Sequence, residues 1–464
     1  MTTFHSRRNV MAGMTAAVAL AAAPLRAASG RKGSQPNVVF IMADDMGYAD
    51  LSCTGSHHIK TPAIDSIATG GIMLRQGYSS TPICSPTRTA LLLGCYAQRF
   101  ALGLEEPVTA NAPPDLGPPS DRPTLASVFR AQGYHTKLIG KWHLGEPGVH
   151  GPLQHGYDEF LGIVEGAADY FRHRMVVGGK EVGIGLARDN ARTEAGGYLT
   201  DTFGDEAVRT IEAAGDKPLF LSLHFNAPHW PWEGREDAAA AKVIGTSTHN
   251  DGGSLGKYRE MVEIMDQNVA KVLAALDRTG KADNTIVVFT SDNGGERFSE
   301  TWPFVGQKGE VLEGGIRVPL MMRWPARIAA GSRSDQVMAS MDFLPTLLAM
   351  AGGNVAKAGR FDGMDLSRQM VGDAAAVERT LFWRFNASAQ AAVRQGDWKY
   401  VKLGGKEHLF NLAQDERERA ERALAEPQRL AAMRDLWDQW NAQMLPYRVN
   451  GASESLKGSY PDRY

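Results

Sequence analysis

A chain of 464 residues with 43% hydrophobic content is long enough for one large core and a second, smaller unit. Lysine and arginine number 50 against 52 acidic residues, a net charge of -2, and no basic run breaks the balance, which excludes an electrostatic footprint for nucleic acid. The three cysteines, Cys53, Cys84 and Cys95, cannot all pair, and the sequence leaves open whether Cys53 and Cys95 do.

The chain opens on a targeting pattern. Arg7 and Arg8 precede an apolar stretch from Met11 to Ala23 that is short against the ~20 residues a membrane span needs. Paired arginines, a short apolar run and then small residues predict a Tat-type signal peptide over residues 1–30, and with it a periplasmic or secreted bacterial protein.

Four apolar runs then end in polar clusters. Val38–Met42 leads into Asp44 and Asp45, and Thr136–Ile139 into Gly140, Lys141, Trp142 and His143. Leu219–Leu223 leads to Pro228 and His229, and Ile286–Thr290 into Asp292, Asn293, Gly294 and Gly295. Continuous aliphatic runs without strict alternation predict strands buried on both faces. Helical segments over Thr124–Gln132, Asp201–Ala214 and Tyr258–Thr279 precede the second, third and fourth runs. Strand alternating with helix predicts a large, mainly parallel mixed sheet sandwiched by helices, with the polar clusters on the rim at the carboxyl ends of the strands. The stretch from Arg235 to Gly256, rich in Ala, Gly, Asn and Asp, reads as a surface loop. After a composition shift around Gly352–Ala376, four short strands (Thr380–Phe385, Ala391–Val393, Lys399–Leu403, His408–Leu412) and a helix over Gln428–Met444 predict a small α+β subdomain. The expected organisation is a large unit over 36–360 and a C-terminal one over 376–464.

On the rim, Asp44, Asp45, Asp292 and Asn293 are hard oxygen donors on two separate strand ends, suited to calcium or magnesium rather than zinc. Singly, an Asp-Asn-Gly after a strand is a turn and an Asp pair a solvated feature; their shared rim favours a metal. Cys84-Ser85-Pro86-Thr87-Arg88 reads as a helix start, with Ser85 as N-cap and Pro86 at the first helical position. Cys84 then sits at the positive end of the helix, with Arg88 about one turn in.

That segment resembles the Cys-x-Pro-x-Arg signature of the formylglycine-dependent sulfatases, arylsulfatase-like relatives of alkaline phosphatase. Asn37–Asp50, Gly140–Gly145, Pro228-His229, Ser291–Gly295, Lys308 to Pro319 and His408–Leu412 are similar to the family's other elements in the same order. Thr87, Leu93 and Cys95 depart from its usual serine, threonine and arginine. The resemblance implies an alkaline-phosphatase-like fold and a sulfuric ester hydrolase acting on aryl or carbohydrate sulfates, small or oligosaccharide. It implies that a formylglycine-generating (sulfatase-maturing) enzyme oxidises Cys84 to formylglycine, whose hydrate attacks sulfur. It implies that Asp44, Asp45, Asp292, Asn293 and the modified Cys84 hold one calcium (or magnesium), and that Arg88 stabilises the hydrate. Lys141, His229 and Lys308 would clamp the sulfate, His229 would protonate the departing alcohol, and His143 would serve as the base that releases sulfate. Two alternatives stand beside it: a phosphate or phosphonate ester hydrolase of the same superfamily, and a non-catalytic protein that binds sulfated glycans. The oligomeric state and the alcohol half of the substrate are not legible, although Gly162–Arg174 with His173, and Trp230-Pro231-Trp232, are candidate pocket walls.

Overall fold

The computed structural model describes residues 1, 35–109, 112–244 and 252–447. The signal-peptide expectation over residues 1–30 therefore lies outside the described residues, apart from Met1, as does the end of the 376–464 unit.

The four apolar runs form strands: β1 (Asn37–Ala43), β2 (His135–Gly140), β3 (Leu219–His224) and β4 (Thr285–Ser291). They lie side by side in the order β4-β1-β3-β2, all parallel, at the centre of a ten-stranded mixed sheet. Alternate residues of each strand enter different cores: Val39, Ile41 and Ala43 join one cluster, Val38, Phe40 and Met42 the other. This burial on both faces explains why the runs lack a polar alternation.

Helices cover both faces. On one side lie α2 (Leu199–Ala213) and α3 (Leu255–Arg278), which carry Phe203, Ile211, Met261 and Val269 into the first cluster. On the other lie the carboxyl half of α1 (Cys84–Leu93) and the helix Phe343–Met350. Antiparallel strands extend the sheet at both ends, as a mixed sheet was expected to allow. Register aligns Ala43 with Ser291, Met42 with His224, and His224 with Gly140, so all four polar clusters leave the sheet at one rim. Gly140 is required there: with φ at +111°, a Cβ would stand 1.7 Å from the His224 carbonyl oxygen.

The C-terminal strands β5 (Thr380–Phe385), β6 (Gln390–Gln395), β7 (Trp398–Leu403) and β8 (Lys406–Asn411) form an antiparallel sheet, followed by α4 (Pro427–Asn441). Leu381, Trp383 and Phe385 pack with Tyr78, Ile83 and Cys84, so this sheet buttresses the amino end of α1. The expected loop from Arg235 to Gly256 includes a short helix (Ala238–Ala241), and Arg235 is tied to Asp201 at 2.7 Å.

A buried ionic network joins the two units. Lys399 Nζ, on β7, lies 2.8 Å from Glu313 and 2.9 Å from Glu418, while Arg317 and the Tyr78 hydroxyl also reach Glu313 at 2.7 Å. Removing one partner of such a set strands a charge in a dry interior. Lys399→Met is expected to destabilise the protein by ~3–5 kcal/mol in denaturant unfolding; a loss under ~1 kcal/mol, the worth of an exposed pair, would show the network to be solvated.

Candidate active site

The rim of β1, β4, β2 and β3 brings the candidate residues to one buried pocket. Ligand atoms of Asp44, Asp45, Cys84 and His229 all lie within 4.8 Å of one another. Asp292 and Asn293 adjoin them: Asp292 Oδ1 accepts from the Asp45 N–H at 3.2 Å, and Asn293 Nδ2 donates to Asp45 Oδ1 at 2.8 Å. Asp45 and His143 hold φ near +60°, a sparsely populated region for non-glycine residues that costs of order 1–3 kcal/mol each and gathers at functional sites.

Cations stand against these carboxylates. Lys141 Nζ donates to Asp44 Oδ2 at 2.6 Å, and Lys308 Nζ to Asp45 Oδ2. Arg88 grips Asp292 Oδ2 with Nε (3.0 Å) and Nη2 (2.8 Å), and donates Nη1 to the Lys141 carbonyl at 2.9 Å. Lys141 and Lys308 would read as surface lysines from their local sequence; they are 0% and 3% exposed.

The helix start differs from expectation. Cys84 itself is the first residue of α1 and Ile83 the N-cap, with no side-chain cap; Ser85 and Pro86 are the second and third helical residues. The first N–H groups of a helix lack an intrahelical acceptor, so proline costs no hydrogen bond at the third position. Ser85 turns away to accept from the Val108 N–H at 2.8 Å. Cys84 keeps its place at the positive end of the helix. Burial pushes its thiol up to about 11, against Lys141 and Lys308, so the unmodified side chain is no thiolate nucleophile at neutral pH. Cys53, Cys84 and Cys95 are all free.

Both imidazoles have assignable roles for their nitrogens. His143 Nε2 lies 2.8 Å from the Val108 carbonyl and so carries the proton, leaving Nδ1 buried and unpartnered. A side chain on Gly166 would come within 2.5 Å of that ring. His229 Nδ1 lies 2.8 Å from the Trp230 carbonyl, which turns the Nε2 lone pair toward Asp45 Oδ2 at 3.4 Å. Burial, reinforced by Lys141, holds His143 well below the ordinary histidine value; burial, Lys308 and Lys141 do the same to His229.

The donor set fits a hard dication. Asp44 Oδ1 and Asn293 Oδ1 are buried without a hydrogen-bond partner. Burial drives the Asp44 carboxyl well above the ordinary carboxylate range, with Lys141 opposing and Asp292 adding to the rise. Asp292 is the counterexample: burial would raise it, but Arg88 and Lys141 hold it below its usual value. Orphaned oxygens, a carboxyl forced toward neutrality and an imidazole lone pair facing a carboxylate share one remedy, a divalent cation with oxygen ligands.

Some expectations need correction. Trp232 is 6% exposed and lies in the first core, against Phe298, so it is no pocket wall. His173 is buried with Nε2 on the Gly197 carbonyl at 3.0 Å, and Tyr170 spends its hydroxyl on the carbonyls of Asn226 and His229. Both brace the rim. Trp230 and Phe171 remain half-buried. Asp50 is a residue the sequence reading does not single out: it receives Gly47 N–H, the Tyr258 and Ser299 hydroxyls and Glu300 N–H and so ties the Asp45 loop to the Asn293 loop. A buried aspartate after a glycine-bearing loop was the available signal.

Comparison with known proteins places this geometry. The family model described as Sulfatase matches residues 36–353, and one described as N-sulphoglucosamine sulphohydrolase, C-terminal, matches residues 306–443. The chain is 32% identical over 469 residues to the steryl-sulfatase of Mus musculus, covering 82% of this chain and 72% of that one. It is 32% identical over 389 residues to the N-acetylgalactosamine-6-sulfatase of Rattus norvegicus, covering 78% and 71%. The solved structure of Ps i-CgsB in complex with k-i-k-neocarrahexaose superimposes with a TM-score of 0.82 at 28% identity, covering 91% of this chain and 96% of that one. A phosphonate monoester hydrolase of Agrobacterium radiobacter shares the fold, with a TM-score of 0.63 at 21% identity over 88% of this chain and 95% of that one.

The buried imidazoles set a pH dependence of stability. His224, at the end of β3, is brought down to about 3 by burial and by Arg88, and His143 and His229 are depressed as well. Below about pH 6.5 the unfolded chain binds protons that the native one refuses, so their contribution is present above that pH and lost as pH falls. Each adds a slope of about 1.4 kcal/mol per pH unit. Denaturant unfolding between pH 7 and pH 4 is expected to show that slope, made shallower by one histidine's share in His224→Gln; an unchanged slope in the variant would show His224 to be charged in the native state.

Proposed function

Because the chain belongs to the sulfatase family and hydrolyses sulfate esters, we propose that its chemistry is centred on Cys84, converted to formylglycine, beside one calcium ion held by Asp44, Asp45, Asp292 and Asn293. The observation that carries this reading is the convergence of Cys84 with Asp44, Asp45 and His229 inside 4.8 Å, at the positive end of a helix. When bound, calcium would supply positive charge where negative charge develops, and the hydrated aldehyde made from Cys84 would supply the nucleophilic hydroxyl and a second hydroxyl whose proton can be removed.

The other roles fall to this chain's side chains. Lys141 and Lys308, already facing the pocket, neutralise the sulfate oxygens, which is where an anionic ester resists attack by a nucleophile. Arg88 is fixed by two bonds to Asp292 and presents its charge at the same end of α1. His229 starts neutral because burial, Lys308 and Lys141 hold its proton affinity down; a bound sulfate anion opposes the two lysines and makes His229 able to carry a proton to the leaving alcohol. His143, with Nε2–H committed to Val108, takes a proton at Nδ1.

The alcohol half of the substrate is proposed to be a sulfated sugar, small or oligomeric. Two observations support this: the structural resemblance to Ps i-CgsB, solved with k-i-k-neocarrahexaose, and the half-buried faces of Trp230 and Phe171 beside His229 and Tyr198. Aromatic faces next to charged groups suit a sugar ring. Export through the Tat route, after folding and conversion by a maturing enzyme, is proposed on the paired arginines Arg7 and Arg8.

Two experiments test this. The peptide containing Cys84, from protein made with a formylglycine-generating enzyme, is expected to be lighter than its thiol form by about 18 mass units, and Cys84→Ala is expected to lose at least about 1,000-fold in kcat. A full-mass thiol peptide from fully active enzyme would refute the nucleophile assignment. In a panel of sulfated sugars, aryl sulfates and sterol sulfates, kcat/KM is expected to be highest for a sugar; preference for the sterol would overturn the proposed substrate class.

A further inference from the structure

The segment 105–109 belongs to no helix or strand, yet Val108 is held between two parts of the site. Its N–H donates to Ser85 Oγ, the residue after Cys84, and its carbonyl accepts from His143 Nε2, each at 2.8 Å. With no sheet ladder to place it, that carbonyl stands where its neighbours are fastened. Two residues upstream is Glu106, 1% exposed, and its carboxyl is fastened by the C-terminal unit. It accepts from the Asn386 N–H at 2.8 Å and from the Tyr447 hydroxyl at 2.7 Å. Arg384, on β5, stacks 4.4 Å over the Tyr447 ring and bonds Asn441 Oδ1 at 2.6 Å and the Leu445 carbonyl, which holds the chain end that delivers Tyr447.

We propose that Glu106 and Tyr447 are positioning residues: through the strap 106–108, the C-terminal unit fixes the ring of His143 with Nε2–H on Val108 and Nδ1 turned to the reacting groups. An imidazole that loses this acceptor can rotate or exchange tautomers, and either change removes the lone pair from the place where a proton must be taken. The inference rests on the reading of His143 as the base. It assigns the C-terminal sheet a part in catalysis beyond buttressing α1.

The test uses the full-length, matured enzyme. Tyr447→Phe removes one hydroxyl near the chain end; Glu106→Ala removes the acceptor; Glu106→Gln keeps an acceptor oxygen. Tyr447→Phe and Glu106→Ala are expected to lower kcat by about 10-fold with KM within about twofold, whereas Glu106→Gln restores most of the rate. In ¹⁵N-histidine spectra, the His143 signal, assigned by its absence in His143→Gln, is expected to report the Nε2–H tautomer in the parent and a mixture in Tyr447→Phe. Unchanged kcat, or lowered kcat with an unchanged His143 signal, would overturn the proposal. Should Glu106→Ala fail to fold, Tyr447→Phe decides alone. His143→Gln separates the two readings: full activity in that variant sinks the base assignment itself, while a lost rate there with an unaffected Tyr447→Phe sinks only the strap.

Discussion

A balance of buried charge organises this protein. Asp44, Asp45 and Asp292 are buried at 0–2% exposure, and Arg88, Lys141 and Lys308 meet them within hydrogen-bond distance. In a low-dielectric interior neither set could remain ionised alone. Held together they store an electrostatic field that is strong and already oriented, the arrangement an enzyme needs when its substrate arrives as an anion and charge shifts further in the transition state. The oxygens Asp44 Oδ1 and Asn293 Oδ1, buried without a hydrogen-bond partner, are the donors proposed to meet a cation.

The fold supplies that field by geometry rather than by local sequence. Parallel strands deliver four loops to one rim, and α1 points its positive end into the same space. Rigidity comes from the layer behind the contacts. Asp50 ties the Asp45 and Asn293 loops together, Tyr170 pins the loop that carries His229, and the antiparallel sheet packs Trp383 and Phe385 against the amino end of α1. The ionic set of Lys399, Glu313 and Glu418 locks the C-terminal unit to the segment that follows Lys308. Strained backbone at Asp45 and His143 is tolerated because these contacts over-determine it.

Much of this was legible in the sequence, for identifiable reasons. Strands such as Val38–Met42 announce themselves because burial on both faces forces a continuous apolar run, and α3 does so because Met261, Ile264, Met265 and Val269 recur at helical spacing. The rim followed from alternation of strand and helix. Lys141 and Lys308 were legible only through resemblance, since nothing adjacent to them in sequence requires burial. The start of α1 lies two residues before the expected one because Ser85 looks like a cap, while its hydroxyl is claimed by Val108, 23 residues away. Trp232 was misplaced because an aromatic beside a catalytic loop serves equally as core. Contacts such as Glu106 with Tyr447 span too much chain for any local pattern to show them.

The proposed chemistry depends on the acidic pocket binding a divalent cation beside Cys84. Calorimetric titration of chelator-treated protein with calcium measures this directly. One site per chain, abolished by Asp45→Asn, is the expected result. Absence of calcium binding, or binding that Asp45→Asn leaves intact, would contradict it.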